Sequence, residues 1–314
     1  MHGWLAGQES HLTILPEPAL CSLPVHRRTL RLGQREWPPG SFGIMAVINR
    51  TPDSFYDRGA TYELDAALAA ADRAVEAGAD ILDIGGVKAG PGDEVTVAEE
   101  IRRVAPVVAA LRARHPSVII SVDTWRAPVG AAVAAAGADL LNDAWGGADP
   151  GLAHVAAAGD LGLVCAHAGG AAPRTRPHRP AHSGLVGQVI AALAAEAERA
   201  VAAGVRADRI VIDPAHDFGK NTWHSLEITR RLGELTATGW PVLMSASRKD
   251  FVGETLGAGI EDRLSGTLAV TAVGAWLGAR IFRAHDVAQT RHALDMVAAV
   301  RGDLVPARTV RGLA

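Results

Sequence analysis

Cysteine is nearly missing from this chain of 314 residues: Cys21 and Cys165 are the two, far apart and in no metal-binding or CxxC spacing. That excludes a disulfide framework and a cysteine-based zinc site, and it suits a reduced, cytoplasmic setting. Positive charge is not in excess either. A formal net charge of −3 gives no basic field, so nucleic acid is excluded as a partner. Met1-His2-Gly3-Trp4-Leu5 lacks the basic and apolar regions of a signal peptide. The most apolar stretch, 268–282, is too short to span a bilayer and carries Thr271 and Arg280, so it reads as a buried helix feeding a strand and no membrane is expected. Aromatics make up only 4% of the residues, while alanine and glycine are abundant, which suits helices packed closely on strands.

What the chain does have is one grammar repeated. Apolar content is 48%, ample for a large core. Ile44–Ile48 runs straight into Asn49 and then a Pro-Asp-Ser turn, the mark of a strand buried on both faces. Similar runs occur at 81–82, 118–122, 140–141, 163–164, 210–212, 241–244 and 281–282. Helical stretches over 63–77, 95–114, 126–136, 184–204 and 286–300 separate them, several ending in a glycine such as that of Ala-Gly-Ala-Asp at 77–80 and 136–139. Eight strands alternating with helices predict an α/β fold, a (β/α)8 TIM barrel. The alternative, an open doubly wound sheet, is weakened because no GxGxxG follows the first strand. The expected organisation is a proline-rich extension over 1–40 with a hairpin near Leu30–Arg35 at the barrel's base, a single barrel domain over 41–303, and a tail over 304–314. Trp125, Trp145, Trp223, Trp240 and Trp276 read as packing anchors.

The strand ends carry Asn49, Asp83, Asp123, Asn142 with Asp143, His167, Asp213, Ser245 with Ser247, and Arg283 with His285. A lone Asp after a strand is usually a helix cap. Polar residues at every strand end of a barrel point instead to a site on that face. Asp123, Asn142 and Asp213 suit the N–H groups of a flat heterocycle; Arg283 and His285 suit phosphate oxygens. Asn49 and Asp57 are hard oxygen ligands of the kind a Mg2+ bridging a diphosphate takes.

Asn49-Arg50-Thr51-Pro52-Asp53-Ser54-Phe55, Asp83-Ile84-Gly85-Gly86, Ser121-Val122-Asp123-Thr124, Asn142-Asp143, Asp213-Pro214 with Phe218-Gly219-Lys220, Ser247-Arg248-Lys249 and Arg283-Ala284-His285-Asp286 together resemble the dihydropteroate synthase family, with all motifs in order over about residues 43–300. The resemblance implies condensation of 6-hydroxymethyl-7,8-dihydropterin diphosphate with p-aminobenzoate, releasing diphosphate, with Mg2+ as cofactor and a homodimer formed through the small-residue helix 266–278. It implies Asn49, Asp123, Asp213 and Lys249 as the catalytic set. Asp123, Asn142, Asp213 and Lys249 would hold the pterin; Asn49, Arg283 and His285 the diphosphate; Asn49 and Asp57 the metal. Phe55, Pro91, Ser247 and Asp250 would surround the p-aminobenzoate.

Four segments depart from the family. Val87-Lys88-Ala89-Gly90 stands where a Glu-Ser-Thr-Arg run is usual, removing a hydroxyl and a guanidinium that Lys88 replaces only as a point charge. Arg50 and Arg58 stand in the first loop in place of small residues. Ala215-His216-Asp217 replaces a glycine-rich turn, and Asp250 puts a carboxylate at a helix start that in the family receives the acceptor's own. These departures resemble the divergent second synthase copy of actinobacteria. Three readings stay open: a working synthase, with tolerance of sulfonamides expected of its altered acceptor side; a catalytically inactive pterin-binding paralogue; and, as a lesser alternative, a pterin-dependent methyltransferase.

Overall fold

Every apolar run named above becomes a strand in the computed structural model, which describes residues 28–51, 63–170, 172–175 and 182–311. A short antiparallel pair, β1 (Leu30–Leu32) and β2 (Arg35–Trp37), precedes the barrel strands β3 (Gly43–Asn49), β4 (Ile81–Gly85), β5 (Ile119–Asp123), β6 (Leu140–Asp143), β7 (Gly162–Ala166), β8 (Ile210–Asp213), β9 (Leu243–Met244) and β10 (Ile281–Ala284). The helices are α1 (Leu64–Glu76), α2 (Val97–Arg114), α3 (Ala127–Ala136), α4 (Gly151–Ala158), α5 (Leu185–Ala202), α6 (Thr222–Arg230), α7 (Leu232–Thr236), α8 (Asp250–Leu256), α9 (Leu264–Trp276) and α10 (Val287–Arg301). The eight barrel strands pair in parallel in the order β8-β7-β6-β5-β4-β3-β10-β9, and a bridge between Ile212 and Val242 joins the two ends. This is a (β/α)8 barrel.

The Ala-Gly-Ala-Asp repeat has a physical reason. Its glycine ends the helix, as Gly137 does after α3 with φ +102. Its aspartate then clamps the preceding strand at the barrel's base: Asp80 Oδ2 accepts Ile44 N–H at 2.9 Å, and Asp139 Oδ2 accepts Ile120 N–H at 2.8 Å. Both acids also receive arginines, Arg291 and Arg35 on Asp80 and Arg112 on Asp139.

Because side chains alternate along a strand, the register stacks the barrel interior in layers. At the base, Met45, Ile81, Ile119, Leu140, Val164, Val211, Leu243 and Ile281, one from each barrel strand, form an apolar cluster with Leu30, Leu32 and Trp37 of the β1–β2 hairpin. The hairpin therefore seals the lower end. Gly162 permits the seal: a Cβ there would stand 2.5 Å from Leu32 Cδ2. Next comes a layer containing Val47, Asp83 and Ser121, and above it Asn49, Gly85 and Asp123, level with one another across β3, β4 and β5. A separate core of strand, helix and loop residues lies between the barrel and its outer helices.

The tryptophans divide. Trp145 and Trp240 are buried anchors as expected, whereas Trp223 is 79% exposed and Trp276 40% exposed. No helix among the described residues is long and apolar enough to cross a membrane.

Candidate active site

The upper layer opens into a cavity at the C-terminal ends of the strands, enclosing roughly 740 Å³ of empty space that is partly open to solvent. With no side chain at Gly85, the row from Asn49 to Asp123 has a gap; a Cβ there would lie 3.9 Å from Asn49 Oδ1 and 3.8 Å from Asp123 Cβ. Asn49, Asp123, Asn142, Asp213, Lys249, Arg283 and His285, spread over 237 positions of sequence (285 − 49 + 1), all line this one cavity. Lys88, Thr51, Phe218 and Ser245 line it with them.

A buried ionic layer supports its floor. Asp83, fully buried, accepts Arg283 Nε at 2.6 Å, Ser121 Oγ at 2.7 Å and Asn142 Nδ2 at 3.2 Å. Arg283 Nη2 reaches on to Asp123 Oδ2 at 3.2 Å. Asp83 is thus not a rim residue, contrary to the expectation from sequence: it lies two residues before the end of β4, on the same face as Gly85 but one layer lower. Its role is to orient Arg283 and Asn142. Burial alone would lower the Arg283 pKa, but its two carboxylate neighbours outweigh it and keep the guanidinium charged. Burial pushes Asp123 up to about 7, with Arg283 opposing; the shorter Arg283 contact goes to Asp83, so Asp123 holds the weaker half of that guanidinium.

On the opposite wall, Asp213 accepts Ala215 N–H at 2.7 Å and Ser245 Oγ at 2.8 Å, so both carboxylate oxygens are oriented by the protein. Lys249 Nζ donates to the His216 carbonyl at 2.5 Å and stands 4.9 Å above the Phe218 ring; burial lowers its pKa, while Asp213 and Asp217 pull it back up. Lys220 is a neighbouring buried amine, donating to the carbonyls of His167, Phe218 and Ala215 and pushed down to about 7 by burial.

The motifs at 247–249 and 283–286 are fastened to each other. Ser247 Oγ lies 2.9 Å from His285 Nδ1 and accepts the His285 N–H at 3.1 Å. Arg248 grips Asp286 through two nitrogens, at 2.8 and 2.9 Å, and donates to the carbonyls of Ile260 and Glu261. Arg248 is therefore a buried structural arginine. Burial beside Arg283 pushes His285 down to about 3, so it serves the cavity as a neutral ring and not as a cation.

The expected acceptor residues fare differently. Phe55 and Asp57 lie outside the described residues. Pro91 is exposed, Ser247 is turned to His285, and Asp250 is turned outward to Arg263, 2.9 Å away; none of the three lines the cavity. Near α8 it is Asp217, not Asp250, that occupies a helix amide: Asp217 Oδ2 accepts Phe251 N–H at 3.2 Å. After β7, Arg174 reaches across to the Asp93 carbonyl in the loop after β4 at 2.6 Å. Among the described residues no cluster of three or more His, Cys, Asp or Glu is placed to hold a metal.

Comparison with known proteins decides the family. Residues 45–285 match the pterin binding enzyme family. The "Inactive dihydropteroate synthase 2" of Mycobacterium leprae (strain TN) is 58% identical over 275 residues, covering 86% of this chain and 94% of the relative. The chain belongs to the dihydropteroate synthase family. Among solved dihydropteroate synthases, that of Yersinia pestis with a sulfonamide drug complex superposes with a TM-score of 0.82 at 36% identity, covering 87% of this chain and 99% of the other. That of Xanthomonas albilineans with 4-aminobenzoic acid gives 0.78 at 36% identity, covering 89% and 99%.

Proposed function

We propose that this barrel binds a pterin at its mouth and does not condense it with p-aminobenzoate. One observation carries the reading: Asp123, Asn142, Asp213 and Lys249 converge on one cavity, while Pro91, Ser247 and Asp250 are not among the residues that line it. Asp123 and Asp213 would accept the ring's N–H groups, Asn142 would pair with its amide edge, and Lys249 would donate to its carbonyl or ring nitrogen. The name of the M. leprae relative agrees with this division.

Asn49, Lys88, Arg283 and His285 border the same cavity and would take a diphosphate on the pterin's side chain. Mg2+ would find in Asn49 a single neutral amide oxygen, a hard oxygen ligand, and would take its other ligands from the phosphates and water. When bound, it would neutralise charge on the departing diphosphate. A working synthase is the second reading, favoured by these retained phosphate-side residues. The assay is direct: purified protein, 6-hydroxymethyl-7,8-dihydropterin diphosphate, Mg2+ and p-aminobenzoate are incubated, and dihydropteroate is measured. We expect no product at high enzyme, alongside calorimetric binding of 7,8-dihydropterin. Product formation would establish the second reading instead.

Binding is expected to depend on pH. Below about 7 the half-buried Asp123 holds a proton and loses acceptor strength, so pterin affinity rises from pH 6 to pH 8. The limiting slope is about tenfold per pH unit on the acid side of the midpoint. Asp123→Asn should weaken binding and flatten this profile; a profile of unchanged slope in that variant would remove Asp123 from the explanation.

We also propose a homodimer through α9 and α10, whose exposed faces carry Val273, Trp276, Met296 and Val300. Apolar faces of this kind are what subunit interfaces cover.

A further inference from the structure

Five non-glycine residues among those described have left-handed backbones. Three of them, Ala215, Asp217 and Arg248 (φ +49, +69 and +53), sit where the loop after β8 meets the segment entering α8. Such strain persists only where surrounding contacts over-determine it, and it gathers at ligand clamps. Here the contacts converge on His216. Its carbonyl accepts Lys249 Nζ at 2.5 Å. Its ring, fully buried, stacks on Phe251 with 5.4 Å between centroids and 22° between planes. One residue thus grips positions 249 and 251 together, once through its backbone and once through its ring.

Helix α6 pins the ring from a third side. Thr229 Oγ1 already donates to the Ser225 carbonyl at 2.9 Å, so it accepts from His216 Nε2 at 3.1 Å. That fixes the Nε2–H tautomer and leaves Nδ1 with no hydrogen-bond partner among the described residues. Burial, with Lys249 and Lys220 close by, holds the His216 pKa well below its ordinary value, so the ring is neutral beside two amines. An imidazole with one nitrogen idle and no charge contributes chiefly its volume and its flat face.

The turn this ring holds is the one Lys249 rests on. Phe218 presents its ring 4.9 Å from the ammonium, and Ala215 gives its N–H to Asp213 at 2.7 Å. Lys249, Phe218, Ala215 and Asp213 line the cavity, whereas His216 does not. A shift of residue 216 reaches a ligand through these neighbours, and through Lys249 first, because the long lysine side chain is tethered at its tip by the His216 carbonyl.

We propose that His216 is a positioning residue for the pterin site: its ring, wedged between Phe251 and Thr229, sets where the main chain holds the Lys249 ammonium against the cavity. This assignment rests on the pterin reading above and extends it to a residue that touches no ligand.

The test is a double-mutant cycle. Dihydropterin is titrated calorimetrically into the full-length protein, His216→Ala, Lys249→Met and the double variant, with thermal unfolding of each measured in parallel. His216→Ala should weaken binding at least about tenfold in the parent and less than about threefold on the Lys249→Met background, as residues in contact couple. His216→Leu, which restores buried volume without the Nε2–H, should recover affinity to within about threefold of the parent. A merely structural role would lower affinity by the same factor in both backgrounds. Equal losses in both backgrounds, a loss below about threefold in folded His216→Ala, or no recovery in His216→Leu each overturns the assignment. If His216→Ala does not fold, Phe251→Leu removes the stack from the other side and carries the same cycle with the same limits. A parent protein that binds no dihydropterin is a different result, which overturns the pterin reading itself.

Discussion

Asp213→Asn lowers affinity for 7,8-dihydropterin by more than about a hundredfold, with the fold retained. Each charge-assisted hydrogen bond to a buried carboxylate contributes roughly 1.5–3 kcal/mol, and a pterin edge offers two N–H groups to one carboxylate, so about 3 kcal/mol or more is at stake. The present partners of Asp213 make the loss specific. Ala215 N–H points at one oxygen and Ser245 Oγ at the other, both as donors. An amide NH2 in either position opposes a donor, and the remaining carbonyl oxygen cannot serve two ligand N–H groups. Ser245 can rotate its hydroxyl to accept, whereas the Ala215 amide cannot, so the NH2 should settle toward Ser245 and the ligand. Isothermal titration of the variant, with its unfolding temperature measured in parallel, checks this. A loss below about threefold would mean that Asp213 serves the loop 213–218 and not the ligand.

The barrel was legible in the sequence because its strands are short apolar runs closed by polar residues, and glycines mark the helix ends between them. Period-two alternation then decides which residues face inward, but only once the pleat has a phase. Asn142 and Asp143 show the difficulty. Both are buried and adjacent, yet Asn142 lines the cavity while Asp143 folds back to accept Trp145 N–H at 2.9 Å and Gly147 N–H at 2.8 Å. Nothing in the local pattern chooses between them. Asp83 was misplaced by one layer for a related reason: the strand continues two residues past it.

Long-range partners were harder still. The pairs Ser247–His285 and Arg248–Asp286 join motifs 38 residues apart, and each residue alone looks like a ligand for substrate. Asp217 and Asp250 are both acids close to α8. Which one turns toward the helix amide depends on Ser225 and Arg263, residues from other segments. The cavity's inner walls are built by strand register, which periodicity shows; the side chains of residues 247–250 are turned by contacts with other loops, which it does not.

The far end of the barrel supplies the second large effect. Arg280 lies just before β10, almost fully buried, and no carboxylate pairs with it among the described residues. Its guanidinium donates instead to three main-chain carbonyls that carry the hairpin: Arg28 at 2.7 Å, Pro38 at 2.7 Å, and Trp37. Burial without a counter-charge pushes its pKa down to about 10, still charged near neutrality. Arg280→Met fills much of the volume but leaves those carbonyls in an apolar setting, each unsatisfied group costing about 1–3 kcal/mol. Relief of the buried charge offsets part of this. A net destabilisation of about 3 kcal/mol is expected, lowering the unfolding temperature by roughly 4–6 °C in a chain of this size. Arg280→Lys should fall between, because one ammonium has only part of the guanidinium's reach. Leu30, Leu32 and Trp37 should then lose protection from hydrogen exchange before the barrel strands do, since the hairpin is left with its apolar contacts and the half-exposed ion pairs Arg31–Asp208 and Arg35–Asp80. Dihydropterin affinity should stay unchanged in both variants, as the apolar base and the Asp83 layer separate Arg280 from the cavity. A variant that unfolds no earlier than the parent would show that the apolar seal and the two ion pairs hold the hairpin without Arg280.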